Sequence, residues 1–444
     1  MIIVVLGLFT AHIVACICLG AALTWLLGIK RKDAVSTSAG AELTTDLLLG
    51  QGAMASLWTL MALLGQFSPA AVAASLILAT LVGIGFLWPE LIRLPGYLST
   101  LYLSLKTETL LWKLLAFLSL LVLLLGGAGA LILPPTGDAA AFYMALPKMV
   151  AGSHHLKPLP GYEGFTQIGL QGELHYAALI SLGSVGAAKL LVWLEASATA
   201  VLLLKIGAAA GLGRRGLIIA LATLVSSTAF VILIPDGKVD LFGAAMGMAA
   251  FYWALRVEGP PLRSVALRLA GLFAGLAIIA KLSYIVPLIA GVALIITLRY
   301  APLLKERDEG QRGGGARYAW PQALAALCVL GLWMLLPAVP HSIKNGMLFH
   351  EPLAPLINFR TKSFIEQTWF SPEVTRRIVL TYPLGLIFGE YPMQGGALSP
   401  LLLAFAPFLF ISRKGRAILQ GPLLQITLSA AAGTVLWVIA RPSV

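Results

Sequence analysis

Residues 111–133 read LWKLLAFLSLLVLLLGGAGALIL, and residues 134–173 continue PPTGDAAAFYMALPKMVAGSHHLKPLPGYEGFTQIGLQGE. The first stretch is apolar for long enough to cross a bilayer core of about 30 Å. The second is polar and carries Asp138, Glu163, Glu173, two lysines and the adjacent pair His154 and His155. Pro134 and Pro135 end the apolar helix and fix the direction in which the chain leaves it. A connection that only reverses direction needs a few residues. A polar segment of this length beside a membrane span therefore points to a site at the membrane surface.

Outward from this segment the chain is built for lipid. Only 11% of its 444 residues are charged, and its mean hydropathy is +0.90. Soluble domains carry about 25% charge. Apolar runs fall at 2–29, 47–64, 70–87, 111–133, 187–212, 217–234, 241–255, 265–280, 284–298, 319–339, 401–411 and 423–439. The reading is an all-α polytopic integral membrane protein of about 12 transmembrane helices. Its first extracytoplasmic loop is large and bears short juxtamembrane helices. A short, Pro-broken run at 378–388 reads as re-entrant. The whole chain, 1–444, reads as a single transmembrane domain.

The net charge of +12 belongs to loops rather than to a nucleic-acid surface. Basic clusters sit at 30–32, at Arg93 with Lys106, at 214–215, at Arg256 with Arg263, at 299–317 and at 413–416. By span parity they share the cytoplasmic side, as the positive-inside rule asks. The opposite side receives three segments. They are the acidic loop 134–173, the turn holding Asp236 and Asp240, and the stretch 341–400. The charged, Gly-rich segment 299–318 reads as a flexible cytoplasmic connector. No Walker A loop is present, so ATP-driven transport has no support in the sequence. Cys16, Cys18 and Cys328 all lie in apolar runs, where neither a disulfide nor a metal knot is expected. The first run is too long for a signal-peptide core and is followed by a basic stop, so it reads as a retained span. Gly126, Gly127 and Gly129 read as helix packing.

Ionisable groups at span ends are costly and mark function or pairing. Asp138 sits just after the two prolines, where it reads as an N-cap of the following short helix, as a base for an acceptor hydroxyl, or as both. Glu173 falls in the first turn of the next helical stretch, where an anion suits the helix dipole. Asp236 and Asp240 flank Lys238 in a tight outer turn. Lys281 lies between two apolar halves and needs an anionic partner: a lipid phosphate, or Asp138, Glu173 or Asp240. His154 and His155 diverge as neighbours and have no spaced third ligand, so no metal site is expected. The later outer segment, 341–400, holds Lys344, Arg360, Lys362, Arg376 and Arg377. This excess of cations on the wrong side of the membrane suits an anionic lipid head group, with a solvated loop as the alternative.

The ordered set of these motifs resembles the GT-C glycosyltransferase superfamily. Within it, the resemblance is to the protein O-mannosyltransferase and aminoarabinose-transferase-like group of bacteria. That group carries a pattern like D-x-x-x-Y-H-x-x-x-P-K in its first outer loop. Here the positions are Asp138, Phe142-Tyr143 and Pro147-Lys148. The loop-closing N-G-E-x-L-Y-A is seen as Gln171-Gly172-Glu173-Leu174-His175-Tyr176-Ala177. A K-x-D turn matches Lys238 and Asp240, and a G-x-x-x-x-x-K segment matches Gly275 and Lys281. A K-N…P-L-x-P-x-x-N stretch is matched from Lys344-Asn345 to Asn358. The usual Tyr-His pair is replaced by Phe142-Tyr143, and the frequent paired acid of the first loop is the single Asp138.

The resemblance implies a polyprenyl-phosphate sugar as donor, an inverting transfer, and Asp138 as general base. It implies that Glu173 and Asp240 position or assist. Tyr143, Lys148, Lys238, Lys281, Lys344, Arg360, Lys362, Arg376 and Arg377 would bind substrate, the cations holding the leaving phosphate. No cofactor is obligatory, and a divalent metal, though allowed, has no ligand spacing to support it. The partners implied are membrane lipids, the lipid-linked sugar and an acceptor that is a lipid, glycan or protein. Nucleic acid is not among them. The expected location is the bacterial inner membrane with the site facing outward. Two rival readings stand beside it, the first using the same cationic outer site without a base. One is a transporter or flippase of a lipid-linked substrate, and the other is a non-catalytic membrane subunit descended from such an enzyme.

Overall fold

The computed structural model of the chain describes residues 2–29, 39–161, 163–300, 315–354 and 422–440, with isolated positions between 376 and 401. Among the described residues every element is helical. The long helices are α1 (Ile2–Leu26), α2 (Ala39–Leu63), α3 (Pro69–Lys106), α4 (Leu110–Ile132), α8 (Val185–Ala209), α13 (Ile285–Tyr300), α14 (Gly315–Leu335) and α16 (Pro422–Ala440). Shorter ones are α5 (Ala145–Ser153), α6 (Glu163–Gln167), α7 (Gln171–Ser181), α9 (Arg214–Val225), α10 (Thr228–Asp236), α11 (Asp240–Ala254), α12 (Val265–Ala280) and α15 (Ala338–Phe349).

Six helical segments among the described residues are long and apolar enough to cross a bilayer. The number rises to eight if each of two bent pairs, α9 with α10 and α14 with α15, forms one span. The expected runs 217–234 and 319–339 are these bent pairs, broken by 62° and 48°. The runs 241–255 and 265–280 form helices of 15 and 16 residues, shorter than a full crossing. The runs 378–388 and 401–411 lie almost wholly outside the described residues.

Outward faces are apolar. On α4, Leu118, Leu124 and Leu125 are all more than half exposed, a surface that suits lipid rather than water. By contrast, α2 and α8 are mostly buried. Helix α8 packs against α4, α7, α9, α10 and α11, and α1 packs against α2, α3 and α8. The glycine run of α4 does pack tightly: Gly127 lies against Trp193 of α8, and Gly126 and Gly129 lie against Ile234 and Pro235 of α10.

Contacts sort the turns into two ends of this array. At one end Glu108 pairs with Arg214 and Arg215, at 3.3 and 3.2 Å. Tyr300 there donates to the Gly259 carbonyl. At the other end the Thr136 backbone N–H and hydroxyl both donate to Asp236, at 2.9 and 2.8 Å. Lys189 donates to the Leu133 carbonyl, and a His154 ring nitrogen meets the Phe67 carbonyl at 3.1 Å. The segment 134–173, the 236–240 turn and α15 meet at this second end. Its connection forms a π-helical turn (Ala139–Tyr143), then α5, α6 and α7.

Candidate functional site

Four separate parts of the chain supply the groups at this second end. Asp138 precedes the π-turn in the N-cap position, but its side chain makes no cap hydrogen bond. The carboxylate instead meets Lys238 at 3.3 Å and is 61% exposed. An exposed pair of this kind contributes about 0–1 kcal/mol. Five residues along the turn, Tyr143 is buried. Burial, and then the nearby carboxylates of Asp240, Glu173 and Asp138, push its phenol pKa up. Tyr143 thus lies within the electrostatic field of all three acids. Stacking of Phe142 on Phe165, with ring centroids 3.6 Å apart, ties the π-turn to the end of the loop.

Glu173 sits in the first turn of α7, as the dipole argument expects, but it is also almost fully buried. Burial raises its pKa to about 8, against the lowering effect of its own backbone N–H and of Lys344 and Lys281. One carboxyl oxygen, Oε2, has no hydrogen-bond partner among the described residues. Two glycines permit this placement. A Cβ on Gly169 would lie 1.4 Å from the Ile279 carbonyl oxygen, so the chain here runs against the end of α12. A Cβ on Gly172 would lie 2.6 Å from the Val239 side chain, so α7 sits directly on the 236–240 turn.

Asp240 opens α11 and bonds Lys281, which sits at the break between α12 and the 3-10 turn Leu282–Tyr284. Of the anions expected for Lys281, its bonded partner is Asp240. Tyr284 closes the corner by donating to the Asp240 backbone carbonyl at 3.2 Å. The second Asp240 oxygen, Oδ2, is buried with no partner among the described residues. Lys281 and Asp240 are 25% and 21% exposed, so removing one partner leaves the other partly desolvated. Lys281→Met and Asp240→Asn should each lower the thermal midpoint of the purified protein. The double variant should recover part of the loss, with a coupling of roughly 0.5–3 kcal/mol. Strictly additive losses in a thermal-unfolding cycle would show the pair to be uncoupled.

Other expected residues stand differently. Lys344 is buried and donates to the Thr166 and Ile168 carbonyls, both at 2.5 Å. Its neighbour Asn345 donates to the Gln167 carbonyl at 2.9 Å. This Lys-Asn pair therefore clamps the α6–α7 connection from α15, and the expected phosphate-holding role of Lys344 gives way to a bracing one. Lys148 is exposed on α5, and no contact among the described residues joins it to the acids. Arg376 is helical and exposed. Arg360, Lys362 and Arg377 lie outside the described residues.

A buried polar ladder inside the bundle was not anticipated. Thr24 of α1 donates to Asp46 of α2 at 2.8 Å, and Trp253 of α11 donates to Thr45 at 3.1 Å. Gln51 of α2 donates to Glu195 of α8 at 2.6 Å. Just beyond it, His12 of α1 and His175 of α7 meet at 3.1 Å. Single polar residues in apolar runs are the signal that marks such groups. Compared with protein-family models, with curated proteins and with solved structures, the chain matches none.

Proposed function

We propose that the protein is an integral-membrane glycosyltransferase that takes a sugar from a polyprenyl-phosphate donor at the extracytoplasmic face. The observation that carries this reading is the convergence of Asp138, Glu173, Asp240, Lys281 and Tyr143 on one end of an apolar helical array. A membrane anchor alone has no use for three acids and a lysine gathered from four parts of the chain.

In this reaction Asp138, the exposed acid, removes the proton from an acceptor hydroxyl. The hydroxyl oxygen attacks the anomeric carbon from the face opposite the phosphate. The carbon–oxygen bond to the polyprenyl phosphate breaks, and the configuration inverts. Lys281, oriented by Asp240, stabilises the negative charge that grows on the leaving phosphate. Glu173 and Asp240 are positioning residues, since both are wholly or largely enclosed and each holds a lysine in its field. Tyr143, buried beside them, lies in the field of both. The site faces the cell exterior or periplasm if the basic turns at the opposite end lie in the cytoplasm.

The test is donor consumption by the purified protein in liposomes. Polyprenyl-phosphate sugar supplied with a mixture of envelope lipid, glycan and peptide acceptors should yield free polyprenyl phosphate and a sugar adduct of one acceptor. Donor that crosses the bilayer intact, without any acceptor present, would identify a transporter and overturn the reading.

A further inference from the structure

A second site lies deeper, between α1, α2 and α7. His12 and Cys16 are four residues apart on α1 and so share a helix face. His175 of α7 comes to meet them. The three side chains can each offer one ligand atom, and these atoms lie within 4.8 Å of one another. His12 and Cys16 are fully buried and His175 is 1% exposed. The Nε2 of His175 lies 3.0 Å from the Gln51 carbonyl oxygen. A carbonyl only accepts, so that nitrogen carries the proton and Nδ1 presents its lone pair toward His12 and Cys16. Metal-ligating histidines are held in this way by a backbone or carboxylate acceptor on the far nitrogen. Trp58 packs against both imidazoles, with ring centroids at 5.8 and 5.1 Å, and Phe242 stacks on His175.

Hydrogen bonding alone leaves this cluster incomplete. His12 Nδ1 is buried with no partner among the described residues, and Cys16 is a buried cysteine outside any disulfide. We infer that His12, Cys16 and His175 form a binding site for monovalent copper. Thiolate and imidazole are the ligands that suit this soft ion. The charge of these three ligands favours it over zinc, and the parallel zinc titration below tests that preference. One thiolate and two neutral imidazoles around Cu(I) sum to zero, which an apolar interior accepts. The same three ligands around Zn(II) leave one positive charge. The Glu195 carboxylate, which accepts from Gln51 through one oxygen and has no partner among the described residues at the other, is not one of the three clustered ligands. On binding, Cu(I) forms a bond to the Cys16 sulfur, the thiol proton leaves to solvent, and copper stays in the +1 state. The ion would staple α1 to α7, the helix that carries Glu173, without entering the transfer reaction proposed above.

The experiment is anaerobic titration of the purified full-length protein with Cu(I) against a chromogenic Cu(I) chelator, with Zn(II) titrated in parallel. We expect one equivalent of Cu(I) to be retained, and affinity to fall at least about 100-fold in Cys16→Ser and in His175→Gln. Cys328→Ser, an exposed cysteine elsewhere, should bind as the unaltered protein does. X-ray absorption of the copper-loaded, unaltered protein should show one sulfur and two nitrogen ligands. This reading stands even if the variants fail to fold. Equal retention by Cys16→Ser, retention of zinc but not copper, or a copper shell without sulfur would each overturn the assignment.

Discussion

Asp138→Asn should reduce sugar transfer from a polyprenyl-phosphate donor by at least about 100-fold, the usual contribution of a general base. Asparagine keeps the size and polarity of the side chain and loses only its ability to take a proton. The fold should not register the change, because the Asp138 carboxylate is mostly exposed and its ion pair with Lys238 is a surface contact. The informative comparison is therefore turnover against thermal midpoint in the same preparation. Lost turnover with an unmoved midpoint fits the base assignment. Undiminished transfer by Asp138→Asn removes Asp138 from the chemistry. Lys238→Gln separates base from ion pair: if the pairing were what mattered, this variant would lose as much activity as Asp138→Asn.

Lys344→Met should be the most damaging single change to the fold. The side chain is almost completely buried, and its ammonium binds two backbone carbonyls of the α6–α7 connection. Methionine fills a similar volume, so the loss is electrostatic rather than one of packing. It orphans the Thr166 and Ile168 carbonyls, each a cost of about 1–3 kcal/mol when buried. It also takes away the largest favourable charge acting on Glu173. A total loss on the order of 3 kcal/mol is expected, visible as a lowered thermal midpoint and as faster proteolysis between Tyr143 and Glu173. Combining it with Glu173→Gln should recover part of that loss only above about pH 8, where Glu173 ionises and is left without its cation; below that pH the acid is already mostly neutral and little recovery is expected. A Lys344→Met protein as stable as the original would mean that the clamp from α15 is not what holds the first loop.

Much of this end of the molecule was legible from the order of residues. Pro134 and Pro135 announce where α4 stops. Span parity groups the 134–173 segment with the 236–240 turn, and the contacts of Thr136 with Asp236 and of Asp138 with Lys238 join the same two segments. Lys281 needed an anion, and one of three named candidates, Asp240, is bonded to it. What the sequence hid follows from tertiary proximity. Lys344 looked like a surface cation because its neighbours are polar. Its burial comes from the α6–α7 connection folding over it, which no local pattern encodes. Asp46, Gln51 and Glu195 each lie in or beside an apolar run, and a reading by average hydropathy passes over them. His12 and Cys16 do carry a signal, the four-residue spacing, but the third member is 159 residues further on. Among the described residues six to eight spans stand beside the roughly 12 read from hydropathy. The runs 241–255 and 265–280 form helices shorter than a full crossing, and 401–411 lies almost wholly outside the described residues. Average hydropathy treats 217–234 as one crossing, whereas the chain bends between Val225 and Thr228.

The most direct measurement is an experimental structure of the protein with a polyprenyl-phosphate sugar bound in a lipid nanodisc. The phosphate is expected within ion-pair reach of Lys281, with the anomeric carbon facing Asp138. A head group bound instead at the opposite end of the helices, beside Arg214 and Arg215, would contradict this placement.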